Sequence, residues 1–393
     1  MQSDLDKRSS KKVAIWLFIE RWRHGSRRGT PVGGDTNRQQ IEIHPGSSGK
    51  VAAWLFIGVG MLVIQIMLGG ITRLTQSGLS ITEWNPIMGA IPPLNTHQWM
   101  VEFDKYKHTD QFRYLNSDFT LGDFKNIFFW EWFHRLWARL MAVVFLAGFF
   151  YFLFKKQLNS RMILPFVILF FLGMMQGAIG WIMVKSGLVP ERLFVGHIQL
   201  ATHFIAALIL LCYTLWFALN LSVPVDEITV NSGLKRLTVI IVCLLFVQLI
   251  YGAFMAGLHA ATAAPTWPQI NGQWIPHAMD TLSPPWKNFT DNKITVQFIH
   301  RGIAYTLLVM VIIWFAKAIK IKGTLLFIKT KWIPLLLILA QVMLGILTVV
   351  TSPNRNNLVW FGVAHQLVAI LFLISIVFML YVLRPSPVPD HHK

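Results

Sequence analysis

Four histidines are placed to do metal chemistry. His134, His203, His300 and His365 lie inside long apolar runs of a 393-residue chain. The other nine lie elsewhere: His24, His44, His391 and His392 in terminal tails, His97, His108, His259 and His277 in polar connections, and His197 at the mouth of a run. Each of the four follows the start of its apolar run by a similar distance, roughly 8–11 Å along a helix, so they form one layer. A lone buried histidine is usually a hydrogen-bonded interior residue; four at matched depth point to ligation. Imidazole suits iron, copper and zinc. At that depth no Cys, Asp or Glu completes a tetrahedral zinc site, Glu131 excepted. Histidines on two helices of one bundle suit the two axial positions of a haem. The 29 Phe and 16 Trp suit so large and apolar a group. The expected pairs are His134 with His203 and His300 with His365. His197 competes with His203, because it follows Gly177 by the same interval as His365 follows Gly345. It sits at the membrane edge, however, and reads better as a rim or substrate contact.

Glu131 breaks the symmetry. It is the one acid within an apolar run, three residues before His134, and Gln297 holds the same place before His300. Residues three apart share a helix face. An intramembrane carboxylate is costly and marks function by default. Glu131 is therefore a candidate proton acceptor or stabiliser of positive charge. Its blander role is to orient His134 or to pair with Arg135 or Arg139. Gln297 cannot take up a proton, so the chemistry belongs beside His134. Arg135 and Arg301 follow the histidines and suit either haem propionates, which match the guanidinium fork, or snorkelling to the interface. Arg73 and Glu83 are the charged candidates in the loop after the first run; Ala256 and Thr266 hold those places later in the chain.

These residues need a membrane around them. The chain is 54% hydrophobic and 13% charged, with a mean hydropathy of +0.52. Soluble domains carry about 25% charged residues, so an ordinary cytosolic enzyme and a disordered chain are both excluded. Eight runs reach the roughly 20 residues a spanning helix needs: 51–72, 127–154, 162–184, 196–220, 237–258, 295–316, 333–351 and 359–383. The fold expected is all-α and polytopic. Cys212 and Cys243 lie within runs, so there is no disulfide framework and no thiolate metal site. The net charge of +17 is topological and does not call for nucleic acid. Residues 155–161 and 317–331 carry basic side chains and no acid, and 1–50 holds ten Lys and Arg against five acids. The outward loops 73–125 and 259–294 are near balance. By the positive-inside rule both termini are cytoplasmic.

The spans repeat. Gln65-Ile-Met-Leu-Gly69 recurs as Gln248-Leu-Ile-Tyr-Gly252, and the same offset pairs Trp84 with Trp267, Gly89 with Gly272 and Pro93 with Pro276. Further on, His134-Arg135 matches His300-Arg301, Met175 and Gly177 match Met343 and Gly345, and His203 matches His365. The expected organisation is a basic arm at 1–50, a four-helix bundle at 51–220, a linker at 221–236, a second bundle at 237–383 and a tail at 384–393. Within the arm, Lys12–Ile19 nearly repeats Lys50–Ile57, which reads as a short duplication around a polar insertion.

Gly70-Ile-Thr-Arg-Leu-Thr-Gln-Ser-Gly-Leu-Ser-Ile-Thr-Glu-Trp-Asn-Pro86, Glu131-Trp-Phe-His-Arg135, Leu200-Ala-Thr-His203, Gln297-Phe-Ile-His-Arg301 and His365-Gln366 together resemble the haem A synthase family, over about 51–383. The resemblance implies an enzyme of the cell membrane that oxidises the C8 methyl of haem O to a formyl group by successive hydroxylations, giving haem A for cytochrome oxidase. It implies substrate haem on His134 and His203, haem B on His300 and His365, catalysis by Glu131, and His203 over His197. Expected partners are a haem O synthase, the cytochrome oxidase assembly machinery and an electron donor the sequence does not identify; a homo-oligomer stays open. The chain lacks the cysteine pair that some family members carry in the first outer loop, so thiol steps do not apply. Rival readings are a dihaem electron carrier of the cytochrome b561 kind, with no need of a special acid at one haem, and a haem transporter, with no need of redox chemistry.

Overall fold

The computed structural model describes residues 45–83 and 88–385. The basic arm up to residue 44, Trp84 and the tail beyond Pro385 lie outside the described residues. The described chain is helical, and eight of its helices are long and apolar enough to cross a membrane. They are α1 (Pro45–Leu74), α2 (Leu121–Phe154), α3 (Ser160–Gly187), α4 (His197–Ser222), α5 (Ser232–Gly257), α6 (Lys293–Ala318), α7 (Ile333–Val350) and α8 (Arg355–Val382). In hydrocarbon the backbone must satisfy its own hydrogen bonds, which a helix does.

Polar caps set where these helices begin. Asn159, Asn231, Asn292 and Asn354 each accept a backbone N–H at the start of α3, α5, α6 and α8. Such caps occupy N–H groups the helix itself leaves open. Thr120 and Asp123 form a reciprocal capping box on α2, which starts that helix six residues before its apolar run. Helix starts are therefore an uneven ruler for depth. His134 lies more than three turns into α2, whereas His203 lies less than two turns into α4.

Among residues 44–220, α1 packs on α2 and α4, and α3 packs on α4. Farther along, α5 packs on α6 and α8, and α7 packs on α6 and α8. The groups meet where α4 contacts α5 and where α8 contacts α1 and α4. Close packing concentrates at the end with the short connections, around Leu208, Leu211, Ile241, Trp314, Phe327 and Phe372, all fully buried. There the indole N–H of Trp314 donates to the Thr238 hydroxyl at 2.8 Å.

At the opposite end long loops form a cover. Helices Thr96–Lys107 and Asp110–Leu115 lie over the projecting start of α2. Phe103 and Tyr106 stack on Phe124 at 5.0 and 5.4 Å. Gln111 accepts from the Tyr106 hydroxyl and donates to the carbonyls of Gln76 and Leu193, tying three loops together. Because the α2 start depends on its cap, Thr120→Ala should cost about 1 kcal/mol. Thermal unfolding in detergent would show this as a lower midpoint.

Candidate functional site

All four histidines line one cavity of about 1140 Å³ at the loop end. Typical small-molecule pockets span about 300–1000 Å³, so this one suits a large ligand. Its wall is largely apolar, with helices before and after the α4–α5 connection both contributing.

Each imidazole lies against a glycine of the preceding helix. A Cβ on Gly69 would stand 3.4 Å from His134 Nε2, and one on Gly180 would stand 2.8 Å from His203 Cε1. For Gly252 and His300 the distance is 3.4 Å, and for Gly345 and His365 it is 3.0 Å. At Gly180 and Gly345 a Cβ would force the ring to shift, and at Gly69 and Gly252 it would just touch it. One turn before each glycine stands a glutamine: Gln65, Gln176, Gln248 and Gln341. The last three place Nε2 at 3.3, 3.4 and 3.2 Å from a ring nitrogen of His203, His300 and His365. All four leave Oε1 buried without a partner.

These features fit a haem. The His300 and His365 ring centroids stand 6.5 Å apart, tilted by 70°. A metal held between two imidazoles at about 2 Å from each nitrogen separates the ring centres by roughly 6–7 Å. His365 donates from Nδ1 to the Gln341 carbonyl at 3.1 Å. That bond leaves the Nε2 lone pair facing the Gln341 side-chain amide at 3.2 Å, and it is this lone pair that a bound metal would take. Among the described residues no three His, Cys, Asp or Glu converge on a metal position.

Glu131 is buried at the cavity wall, 2% exposed. One oxygen accepts from the Ser80 hydroxyl at 2.7 Å and the Ile81 N–H at 2.9 Å. The other pairs with Arg135 Nη2 at 2.6 Å. Arg135 also donates to the carbonyls of Ile81 and Glu83. Arg301 does the same for Ala264, Thr266 and Gln269. Ala264 and Thr266 stand at the same sequence offset from Ile81 and Glu83 as Gly252 does from Gly69. Gln297 points its amide at Ala264 O, 3.1 Å away, where Glu131 instead receives an N–H. The two sites share one scaffold and differ at the acid.

Arg73 closes the last turn of α1 and donates to the carbonyls of Ala256 and Gly257 at the end of α5. Its guanidinium also lies over Phe194 at 5.6 Å. It thus joins the two groups of helices at the cavity wall, with Nε buried and unpartnered. Gln366 makes a second tie, donating to Ile66 O at 2.8 Å. His197 opens α4 and stands outside the cavity lining, 3.5 Å from Asp291.

The sequence profile of the cytochrome oxidase assembly protein family matches residues 52–377. The chain belongs to this family. Several bacterial relatives carry the name haem A synthase. One from Rhodopseudomonas palustris is 43% identical over 68% of this chain and 75% of its own length. Another from Rhodospirillum centenum is 38% identical over 86% of this chain and 90% of its own. A third, from Paracoccus denitrificans, is 39% identical over 87% and 90%.

Two features of this family member escape a reading of sequence alone. The first is the fourfold Gln-x-x-x-Gly pattern, which was visible only in α1 and α5. In α3 the alignment of Gly177 with Gly345 is one turn off. Gly180 faces His203 as Gly345 faces His365, and Gln176 corresponds to Gln341. Residues three apart share a helix face, so the slip preserved the apolar match. It also removes the interval that favoured His197. The second is His259, assigned to an outer loop, which lines the cavity beside the Phe194 ring at 4.4 Å.

Burial, then the Arg73 and Lys293 cations, push His259 down to about 3. The unfolded imidazole binds its proton near 6.5, so between roughly pH 6.5 and 3 the unfolded state holds more protons and stability is lost as the pH is lowered. His259→Gln should flatten that part of the profile of unfolding midpoint against pH. Ser80→Ala deletes one donor to a buried carboxylate and should cost about 1.5–3 kcal/mol, read in the same thermal assay at neutral pH.

Proposed function

We propose that this chain is a membrane haem A synthase that oxidises the C8 methyl of haem O to a formyl group by successive hydroxylations. The observation that carries the reading is the difference between two otherwise matched sites. Both have a glycine-backed histidine pair and an arginine clamped to loop carbonyls; Glu131 stands at one and Gln297 at the other. In this reading residues 51–220 and 237–383 are two copies of one four-helix unit, joined by 221–236.

The first unit takes the substrate. His134 and His203 hold the haem O iron and so fix the porphyrin in the cavity. The Glu131 carboxylate stands one turn from His134, held in place by Ser80, the Ile81 N–H and Arg135. It is positioned to accept the proton released as the methyl group is oxidised, or to balance positive charge that develops there. The cover around Gln111 and Tyr106 excludes water from the reaction. Arg73 and Arg135 line the same cavity and would supply the positive charge that propionates require.

The second unit keeps a cofactor. His300 and His365 would hold haem B, with Arg301 fixing the loop above it. Bound there, haem B supplies one-electron redox chemistry. Gln297 keeps the hydrogen bonding of an acid without its proton exchange, which suits a group that is not altered. The product serves cytochrome oxidase, the substrate comes from a haem O synthase, and an electron donor completes turnover. The bacterial relatives support a plasma-membrane location, and the basic short connections favour both termini on the cytoplasmic side.

Glu131→Gln should leave haem B bound and lower haem A output about 10²-fold or more, measured by chromatography of extracted haems. Wild-type output from that variant would overturn the proton-handling role. His300→Ala or His365→Ala should remove haem B from the purified protein, with haem O still retained by His134 and His203.

A further inference from the structure

The two units differ in how their helices close around the cavity. In the second, α5, α6, α7 and α8 form a complete ring, since α6 packs on α7. In the first the ring is broken. The α2 and α3 backbones hardly approach each other, although each packs on its other neighbour.

Small residues line that seam. Ala138 and Ala142 on α2, and Gly173 and Gly177 on α3, both line the cavity and are exposed on the helix surface. A Cβ added at Gly173 or Gly177 would meet no atom within 4 Å. The register set by Gln176 with Gln341 and Gly180 with Gly345 gives their counterparts in α7. Those are Ile338, 3% exposed, and Val342. Opposite them, Ala142 corresponds to Leu308. Ala138 has a matching Ala304, but at the other three positions the second unit places branched side chains where the first leaves space.

We propose that the α2–α3 seam is a lateral portal through which the isoprenoid-tailed haem enters from the bilayer and leaves after oxidation. This rests on the reading of the first unit as the substrate unit. Haem O carries a long apolar chain that partitions into lipid. Passage through the polar cover would drag that chain through water. A seam walled by Ala, Gly, Leu146 and Phe170 lets the porphyrin slide in while the chain stays in hydrocarbon. The covered end and the closed second ring then follow one logic: a substrate that must exchange needs an opening, and a resident cofactor needs none.

The test uses the full chain in lipid nanodiscs, mixed with phosphatidylcholine vesicles carrying haem O, with uptake followed by absorbance. Gly173→Ile combined with Gly177→Val gives α3 the residues of α7. Uptake should slow at least tenfold, with haem B content unchanged. Val309→Trp, on the exposed face of α6, should leave uptake at the wild-type rate. Should the double variant lose haem B, Gly177→Val alone is compared in the same way and should slow uptake several-fold. Wild-type uptake by a seam variant that retains haem B would overturn the portal and leave the assigned activity standing. A wild-type chain that takes up no haem O would overturn the functional reading, and the portal with it.

Discussion

An imidazole buried in a membrane needs a fixed position and a polar neighbour, and here the adjacent helix supplies the position at all four histidines and a glutamine amide at three of them. At Gly69, Gly180, Gly252 and Gly345 the absence of a side chain lets the ring reach the helix surface. One turn earlier a glutamine offers its amide. At His365 the backbone carbonyl of that glutamine takes the Nδ1 proton, and its side-chain amide stands 3.2 Å from Nε2. Helix pairing in lipid favours small residues because there is little hydrophobic force to drive association. In this protein the same small residues also set ligand geometry, so packing and chemistry are fixed by one set of positions.

The two sites then diverge through few changes. Glu131 and Gln297 occupy matched places, but their hydrogen bonds run in opposite senses: one accepts from Ser80 and the Ile81 N–H, the other donates to the Ala264 carbonyl. Ser80 and the acid therefore belong together, since Ala263 stands where a matching hydroxyl would be. Arg135 and Arg301 keep the same work, holding loop carbonyls over each site. The seam between α2 and α3 adds the last difference. In the proposed reading, one scaffold thereby serves both a resident haem and an exchanging one.

Much of this was legible in the chain. The eight spans follow from hydropathy, because lipid demands long apolar helices. The four histidines and Glu131 stood out because charged and metal-ligating groups are rare in such runs. Boundaries were less legible: α2 starts at Leu121 because Thr120 and Asp123 cap it, and a hydropathy run does not report caps. The α3 register is ambiguous by one turn in the sequence because apolar helices tolerate a three-residue shift. Cavity-facing His259 was hidden because its place depends on how the α5–α6 loop folds back toward Phe194 and Arg73. The engagement of Arg135 by Glu131 was open in the sequence as one of several pairings, and only tertiary structure brings Ser80 and Ile81 to the same carboxylate.

The proposed function requires that one chain hold two chemically different haems, a substrate and a cofactor. The most direct measurement is to extract the haems from the full chain, purified from cells that make haem O, and identify them by mass. The account predicts haem B together with haem O or haem A. Haem B alone, unchanged when a haem O-producing enzyme is co-expressed, would contradict it.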